Sequence, residues 1–104
     1  FQYYIPYEMG DKDLGGVDMP DWANAGKRSA QEYAKICGAE YMLDHSRYFK
    51  HIDPRLDSTK IIFDTRFDKY DMILSMDLDM LIATRENIFN LIISLYILLY
   101  PYLL

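Results

Sequence analysis

The chain has 104 residues, which is enough for one domain with a modest core. Because 51% of its residues are hydrophobic, its composition excludes a disordered tail. A formal net charge of −5, without a cluster of Lys and Arg, argues against a nucleic-acid-binding surface. The single cysteine, Cys37, excludes an internal disulfide.

The first half of the chain predicts a strand, a loop, a helix and a second strand. Residues 2–7 are a short aromatic and β-branched run, which is typical of a strand. Residues 8–19 hold three glycines and no hydrophobic period, which indicates a long loop. Residues 20–37 begin with a proline and carry an apolar face, and Gly38 follows at the C-cap position, so they predict a helix. Residues 40–43 predict a second short strand.

The second half predicts a loop, a second helix and a third strand. Residues 44–53 are polar and loop-like. In residues 54–69, Leu56, Lys60, Phe63 and Phe67 recur at helical spacing and predict a helix. Residues 72–76 form an uncharged apolar run that predicts a strand. The order strand, helix, strand, helix, strand implies right-handed crossovers and parallel pairing. We therefore predict an α/β fold of three layers, with a mostly parallel sheet and flanking helices.

Two aspartates one residue apart, Asp77 and Asp79, follow the predicted third strand directly. In extended backbone, side chains two apart lie on the same face, so both carboxylates would reach one ion. Carboxylate oxygens suit Mg²⁺ or Mn²⁺, and Mg²⁺ is usually shared with substrate phosphates. Ligands of open α/β sheets bind beyond the carboxyl ends of the strands. The sequence thus predicts a metal-assisted phosphate site here, whereas Asp11 and Asp13 follow no strand and are interpreted as loop charge.

Five short segments in order carry a resemblance to a known family. They are Tyr33-Ala34 with Gly38-Ala39-Glu40-Tyr41, Ser58-Thr59-Lys60, Phe67-Asp68-Lys69-Tyr70-Asp71, the apolar run into Asp77-Leu78-Asp79, and Arg85-Glu86-Asn87-Ile88-Phe89-Asn90. In these segments the chain resembles the GT-A class of nucleotide-diphospho-sugar glycosyltransferases, especially its glycogenin-like and galactosyltransferase-like group. The resemblance implies the Rossmann-like, nucleotide-binding N-terminal half of that fold. It predicts a partial nucleotide-sugar-binding domain at residues 1–90, followed by an apolar, helical tail at residues 91–104.

The resemblance also implies roles for four residues. Asp79 would bind the Mn²⁺ or Mg²⁺ that bridges the donor's diphosphate, and Asp77 would contact the ribose, the metal or both. Lys60 would reach the donor sugar or phosphate, and Tyr7 falls where the family holds the nucleotide base. A bound divalent ion would stabilise the negative charge of the leaving nucleoside diphosphate. The predicted function is transfer of a sugar from this donor to an unidentified acceptor, with no catalytic residue assigned.

Other functions stay open at this point. In the family, the later half of the domain supplies the acceptor pocket and a further metal ligand, commonly His. Only residues 80–104 follow Asp79 here, and they hold no His. An inactive truncated domain is therefore one alternative. A haloacid-dehalogenase-like phosphatase is a weaker one, because that family carries its nucleophilic aspartate on the first strand.

The end of the chain adds a further alternative. Residues 88–104 hold no charged side chain, and as a helix they would span about 25 Å, slightly less than the ~30 Å hydrocarbon core. They could form a helix packed under the sheet, a tail that is not the native continuation of the domain, or the anchor of a small membrane-associated protein. Since the first residues show no basic region followed by an apolar run, we expect no signal peptide and a cytoplasmic location.

Overall fold

The computed structural model describes residues 1–4, 19–49, 51 and 53–103. Its elements in chain order are strand β1 (Gln2–Tyr3), helix α1 (Asp21–Cys37), strand β2 (Leu43–Asp44), two 3₁₀ helices (Pro54–Ile62 and Thr65–Phe67) and helix α2 (Ile88–Leu103). Residues 8–18 of the loop predicted at residues 8–19, and residues 5–7 of the predicted first strand, lie outside the described residues.

Helix α1 confirms the helix predicted at residues 20–37. Its buried residues recur three or four positions apart, which gives the helix one continuous face toward the rest of the molecule. Gly38 ends the helix with φ of 64°, a left-handed conformation that glycine adopts without steric cost. The buried residues of this face are Ala23, Gly26, Ala30 and Tyr33.

A small parallel sheet packs beside this helix. β1 and β2 pair in parallel, with Gln2 opposite Leu43. On the other side of β1, the Phe1 ammonium donates to the Leu74 carbonyl at 2.7 Å, and the Met76 N–H donates to the Phe1 carbonyl at 3.0 Å. In a parallel pair of strands, one residue forms hydrogen bonds to two residues that lie two positions apart on the neighbouring strand. The segment at residues 74–76 therefore runs alongside β1 in the same direction, and β1 is central.

The structure is less regular between residues 54 and 76 than the sequence predicted. The α-helix predicted at residues 54–69 is wrong, because two 3₁₀ helices stand in its place. The strand predicted at residues 72–76 is not assigned as a strand, although its hydrogen bonds to Phe1 are present. The strand predicted at residues 40–43 begins later, at Leu43. A two-stranded sheet is too little to test a three-layer α/β fold, which stays a prediction.

Buried charges explain why the second predicted helix fails. Leu56 and Phe63, expected on its apolar face, are 55% and 60% exposed. Asp57, Lys60 and Asp64 are buried instead. Residues three apart eclipse each other on a 3₁₀ helix, so Asp57 and Lys60 face inward together. Between Leu56 and Phe63 the segment thus follows its ion pairs rather than its apolar side chains, whereas Phe67 is buried.

Helix α2 is attached to α1 at its first turn. The Asn87 side-chain oxygen accepts from the N–H groups of Phe89 and Asn90 at 3.0 and 3.3 Å, which makes Asn87 the N-cap. The Tyr33 hydroxyl donates to the Glu86 carbonyl at 2.6 Å and accepts from the Ile88 N–H at 3.0 Å. These bonds fix where α2 begins.

Beyond this first turn, α2 is exposed. Residues 90–102 are all exposed, and Tyr102 is 83% exposed. Of the three alternatives for this segment, a helix packed under the sheet is therefore wrong. Among the described residues, no helix combines the length and the apolar character that a membrane crossing requires.

Candidate metal-binding site

Asp77 and Asp79 lie on a tight turn. The Met80 N–H donates to the Asp77 carbonyl at 3.4 Å and closes the turn. Leu78, between the two aspartates, is 4% exposed, whereas both aspartates are exposed. The backbone is turned here, so the expectation of extended backbone through both aspartates is wrong. Because Leu78 points into the molecule, its two neighbours are left at the surface.

Helix α1 holds this turn in place. The Leu78 carbonyl packs so closely on Gly26 that a Cβ at Gly26 would overlap it. Further along the chain, the Ile82 N–H donates to the Ser29 hydroxyl at 2.8 Å. Gly26 and Ser29 lie three residues apart on α1, on neighbouring turns. The segment that carries the two aspartates is therefore held against one helix at two points.

The turn lies at the edge where the parallel segments end. Asp77 directly follows residues 74–76, which run parallel to β1, while Tyr4 follows β1 and His45 follows β2. His45 Nδ1 lies 3.1 Å from the Tyr4 carbonyl. The Tyr4 ring meets the rings of Trp22 and His45 edge to face, with centroids 6.4 and 6.5 Å apart. This edge therefore carries aromatic rings as well as carboxylates.

The aromatic group of Tyr4, Trp22 and His45 was not predicted from the sequence. Trp22 is 54% exposed, so much of its ring faces solvent. A signal was present in the sequence: Tyr4 lies in the predicted first strand, His45 follows the second, and Trp22 lies in the first turn of the predicted helix. Residues in such positions converge at one edge of a parallel sheet.

Lys60 is fully buried among acceptors of its own chain. Its ammonium lies 2.7 Å from Asp44 Oδ2, 2.8 Å from the Ser46 carbonyl and 3.3 Å from Ser46 Oγ. It also lies 4.7 Å from the centre of the Tyr3 ring. An ammonium has three donors, and three acceptors surround this one. A contact with a donor sugar would require Lys60 to leave these partners, so that role stays a prediction without support from the geometry.

Asp44 is the acceptor at the centre of this buried network. It accepts from the Ser46 N–H and hydroxyl at 2.8 and 2.7 Å, and from Arg66 at 3.2 Å, besides Lys60. Burial raises the pKa of Asp44, but the hydrogen bonds from Lys60 and Ser46 outweigh it and bring that pKa to about 2. The chain's own donors thus occupy this carboxylate.

Asp57 is satisfied in the same way. It accepts from the N–H groups of Tyr48 and Phe49 at 2.9 and 2.7 Å, and from the Tyr3 hydroxyl at 2.7 Å. Burial raises the pKa of Asp57, and these hydrogen bonds lower it to a net value below the ordinary one. Burial and the bond to Asp57 raise the pKa of Tyr3. This carboxylate holds the loop before the first 3₁₀ helix to the sheet.

The part of the chain that the structure describes adds no further candidate ligand to the turn. Tyr7 lies outside the described residues, so its predicted contact with the base stays a prediction. Within the described ranges, no group of three or more His, Cys, Asp or Glu side chains is arranged to hold a metal ion. An ion at Asp77 and Asp79 would therefore rely on two carboxylates, with phosphate oxygens and water completing its shell, as Mg²⁺ sites commonly do.

Comparison with known proteins assigns no family. No family model matches this chain, and neither a curated protein nor a solved structure matches it. The resemblance to GT-A glycosyltransferases therefore rests on the residues of this chain alone.

Proposed function

We propose that this chain binds a nucleoside-diphosphate sugar together with Mn²⁺ or Mg²⁺, as the donor site of a glycosyltransferase. The observation that carries the proposal is the turn in which a buried Leu78 separates two exposed aspartates. The turn lies where the parallel segments end, which is the common position of ligands in open α/β sheets. Asp77 and Asp79 would hold the metal, and the metal would hold the diphosphate.

The chemistry of the proposed transfer fits an exposed pair of carboxylates. When the bond between sugar and diphosphate breaks, negative charge develops on the diphosphate, and a divalent ion stabilises it without proton transfer. Two carboxylates neutralise one divalent ion and leave coordination positions open for phosphate oxygens. The exposed ring of Trp22 at the same edge offers a surface on which a base or sugar ring would pack.

The test is ligand-dependent stabilisation. A panel of nucleoside-diphosphate sugars would be added with Mn²⁺, and the melting temperature followed by scanning fluorimetry. A matching donor at one hundred times its Kd stabilises the folded state by about 2.7 kcal/mol. We expect Asp77→Asn and Asp79→Asn to abolish this shift. Asp68→Asn is the matched control, because Asp68 is also exposed and lies outside the turn.

Two results would contradict the proposal. One is a wild-type protein whose melting temperature responds to no donor in the presence of Mn²⁺. The other is a donor-induced shift that survives in both Asp77→Asn and Asp79→Asn, since a ligand bound elsewhere would then cause it.

A further inference from the structure

Helix α2 presents more apolar surface to water than a single folded chain usually does. Between residues 90 and 102, ten leucine, isoleucine and tyrosine side chains are 45–83% exposed. A half-exposed side chain of this size presents roughly 100 Å² to water, so the ten together present about 1,000 Å². The largest apolar patch on a typical monomeric protein covers about 300–600 Å², and larger patches mark interaction surfaces. The exposed part of α2 is therefore a candidate interface.

One stripe of α2 is entirely apolar or aromatic and continues into a cavity. Phe89, Ile93, Tyr96 and Tyr100 recur at alternating intervals of four and three residues, which is the spacing of side chains at the seam between two paired helices. The ring centroids of Tyr96 and Tyr100 lie 5.6 Å apart, as expected for neighbours on one stripe. Phe89, at the beginning of the stripe, is also part of the cavity wall. The stripe and the cavity thus form one continuous surface.

The cavity has a volume of about 380 Å³ and lies between α1, the sheet and the first turn of α2. Its wall is mostly apolar and reaches Met72, Met76 and Ile82, before and after the turn of the two aspartates. Glu40 and Asp71 belong to the wall and are exposed, so they lie at its mouth. The apolar atoms around an unfilled cavity lack the packing contacts that a close-packed interior provides. Side chains of a partner would supply them.

A second copy of this chain offers a helix for the cavity and a cavity for the helix. A helix covers about half of its circumference against one partner, so two paired α2 helices alone would bury roughly 500 Å² per chain, less than the ~800 Å² of a standard interface. Antiparallel pairing about a two-fold axis brings the far end of each helix to the beginning of the other. The far end of one α2 then lies over the cavity of the other copy, and this contact adds the missing area.

Charge favours a second copy over a lipid surface. α2 has no charged side chain, so two such helices meet without repulsion although each chain carries a net charge of −5. Helices that lie on a lipid surface carry a polar face rich in Lys or Arg, which α2 lacks. Near the far end of α2, Tyr100 offers a hydroxyl donor, and the carboxylates of Glu40 and Asp71 at the cavity mouth are acceptors.

We propose that this chain forms a two-fold homodimer in which α2 of each copy pairs antiparallel with α2 of the other and seats its far end over the other copy's cavity. The proposal uses neither Asp77 nor Asp79. It therefore stands or fails independently of the proposed donor site.

Sedimentation velocity over a wide range of protein concentration measures the association. The wild type should change from the mass of one chain to the mass of two and no further, because a two-fold interface is closed. Ile93→Glu places an unpaired carboxylate of each copy in the interface and should raise the Kd of the dimer by roughly a hundredfold or more. Leu98→Glu is the matched control, since Leu98 lies on the opposite side of α2 and its replacement should leave this Kd unchanged. Both positions are exposed in the single chain, so neither change should unfold it.

Cys37 reports whether the second copy covers the cavity. It lies in the cavity wall, it is partly exposed in the single chain, and it is the only cysteine of the sequence. A maleimide should therefore modify Cys37 several-fold more slowly in the wild-type dimer than in Ile93→Glu. Leu98→Glu should react as slowly as the wild type.

Four results would overturn the proposal. A wild-type chain that keeps the mass of one chain at every concentration, or whose mass grows beyond two, does not form this dimer. Equal weakening in Ile93→Glu and Leu98→Glu would mean general adhesion of an apolar helix. Equal maleimide rates in the wild-type dimer and in Ile93→Glu would place the second copy away from the cavity. Binding of the monomer to phosphatidylcholine vesicles, with no dimer in solution, would assign α2 to a lipid surface.

Discussion

Asp44 and Asp57 lie buried in the molecule, while Asp77 and Asp79 lie exposed on the turn that follows residues 74–76. Asp44 is held by Lys60, Ser46 and Arg66, and Asp57 by two backbone N–H groups and the Tyr3 hydroxyl. Aspartates whose oxygens are occupied by the chain's own donors act as cross-links. Exposed aspartates keep their oxygens for a cation from solution. The residue type is the same, and the number of nearby donors decides its role.

Replacing Lys60 should lower the free energy of unfolding more than any other change considered for the buried and exposed aspartates. In Lys60→Met, the carboxylate of Asp44 stays buried and loses its closest cation, at 2.7 Å. Breaking a buried ion pair in this way costs about 3–5 kcal/mol of the free energy of unfolding. Urea denaturation measures it. Lys35→Met, at an exposed position of α1, should change the same quantity by less than about 0.5 kcal/mol. Equal losses in the two variants would mean that the buried network does not stabilise the fold.

Acid should weaken the buried network around Asp44. The pKa of Asp44 falls from 3.8 to about 2 on folding, so the unfolded chain takes up the proton first as pH drops. The stabilisation, about 2 kcal/mol by linkage, is complete above pH of about 4 and is lost as pH falls toward 2. Urea denaturation of the wild type and of Asp44→Asn across this range measures it. A variant with the same acid dependence as the wild type would show that another group is responsible.

Replacing Gly26 with alanine should lower both the stability of the fold and the affinity of Asp77 and Asp79 for their ligands. In Gly26→Ala the new Cβ overlaps the Leu78 carbonyl, and relief of such overpacking costs about 1–3 kcal/mol. The displaced turn should also bind Mn²⁺ and donor less tightly, which calorimetry measures. Gly38→Ala is the control, because its φ of 64° strains an alanine although the site around it is open. It should lower the free energy of unfolding and leave donor binding unchanged. Reduced donor binding in both variants would point to general destabilisation.

The smallest effect on stability should come from the exposed pair itself. Asp77→Asn and Asp79→Asn remove charges from surface positions, where substitutions usually change the free energy of unfolding by less than about 0.5 kcal/mol. Thermal denaturation without metal or donor measures this. A loss of several kcal/mol would show that these aspartates are structural, like Asp44, and would remove the contrast between the two pairs.

Sequence reasoning succeeded where structure is local. The extent of α1 and its end at Gly38 depend on residues a few positions apart, and both were predicted. The segment at residues 54–69 depended on distant partners instead: Asp57 is bound by Tyr3, and Lys60 by Asp44. A helical hydrophobic period contains no information about such pairs, although the place of Lys60 among apolar positions was a sign of its burial.

The candidate site shows the same division. That Asp77 and Asp79 follow an apolar run was visible in the sequence, and so was their chemistry. That they lie on a turn was not, because the turn depends on the close approach of Leu78 to Gly26, far away along the chain. The aromatic group of Tyr4, Trp22 and His45 likewise forms only when the ends of β1 and β2 meet the start of α1 in space.

The first turn of α2 has a practical consequence. Among the described residues, the hydrogen bonds that join this helix to α1 involve Tyr33, Asn87 and Ile88, at its very beginning. Every residue from Asn90 to Tyr102 faces solvent. The stretch from Leu91 onward is thus exchangeable: a polar helix of alanine, glutamate and lysine grafted there would leave the aspartate turn and the ion-pair network untouched. Such a chimera is the natural form in which to purify and crystallise the first ninety or so residues.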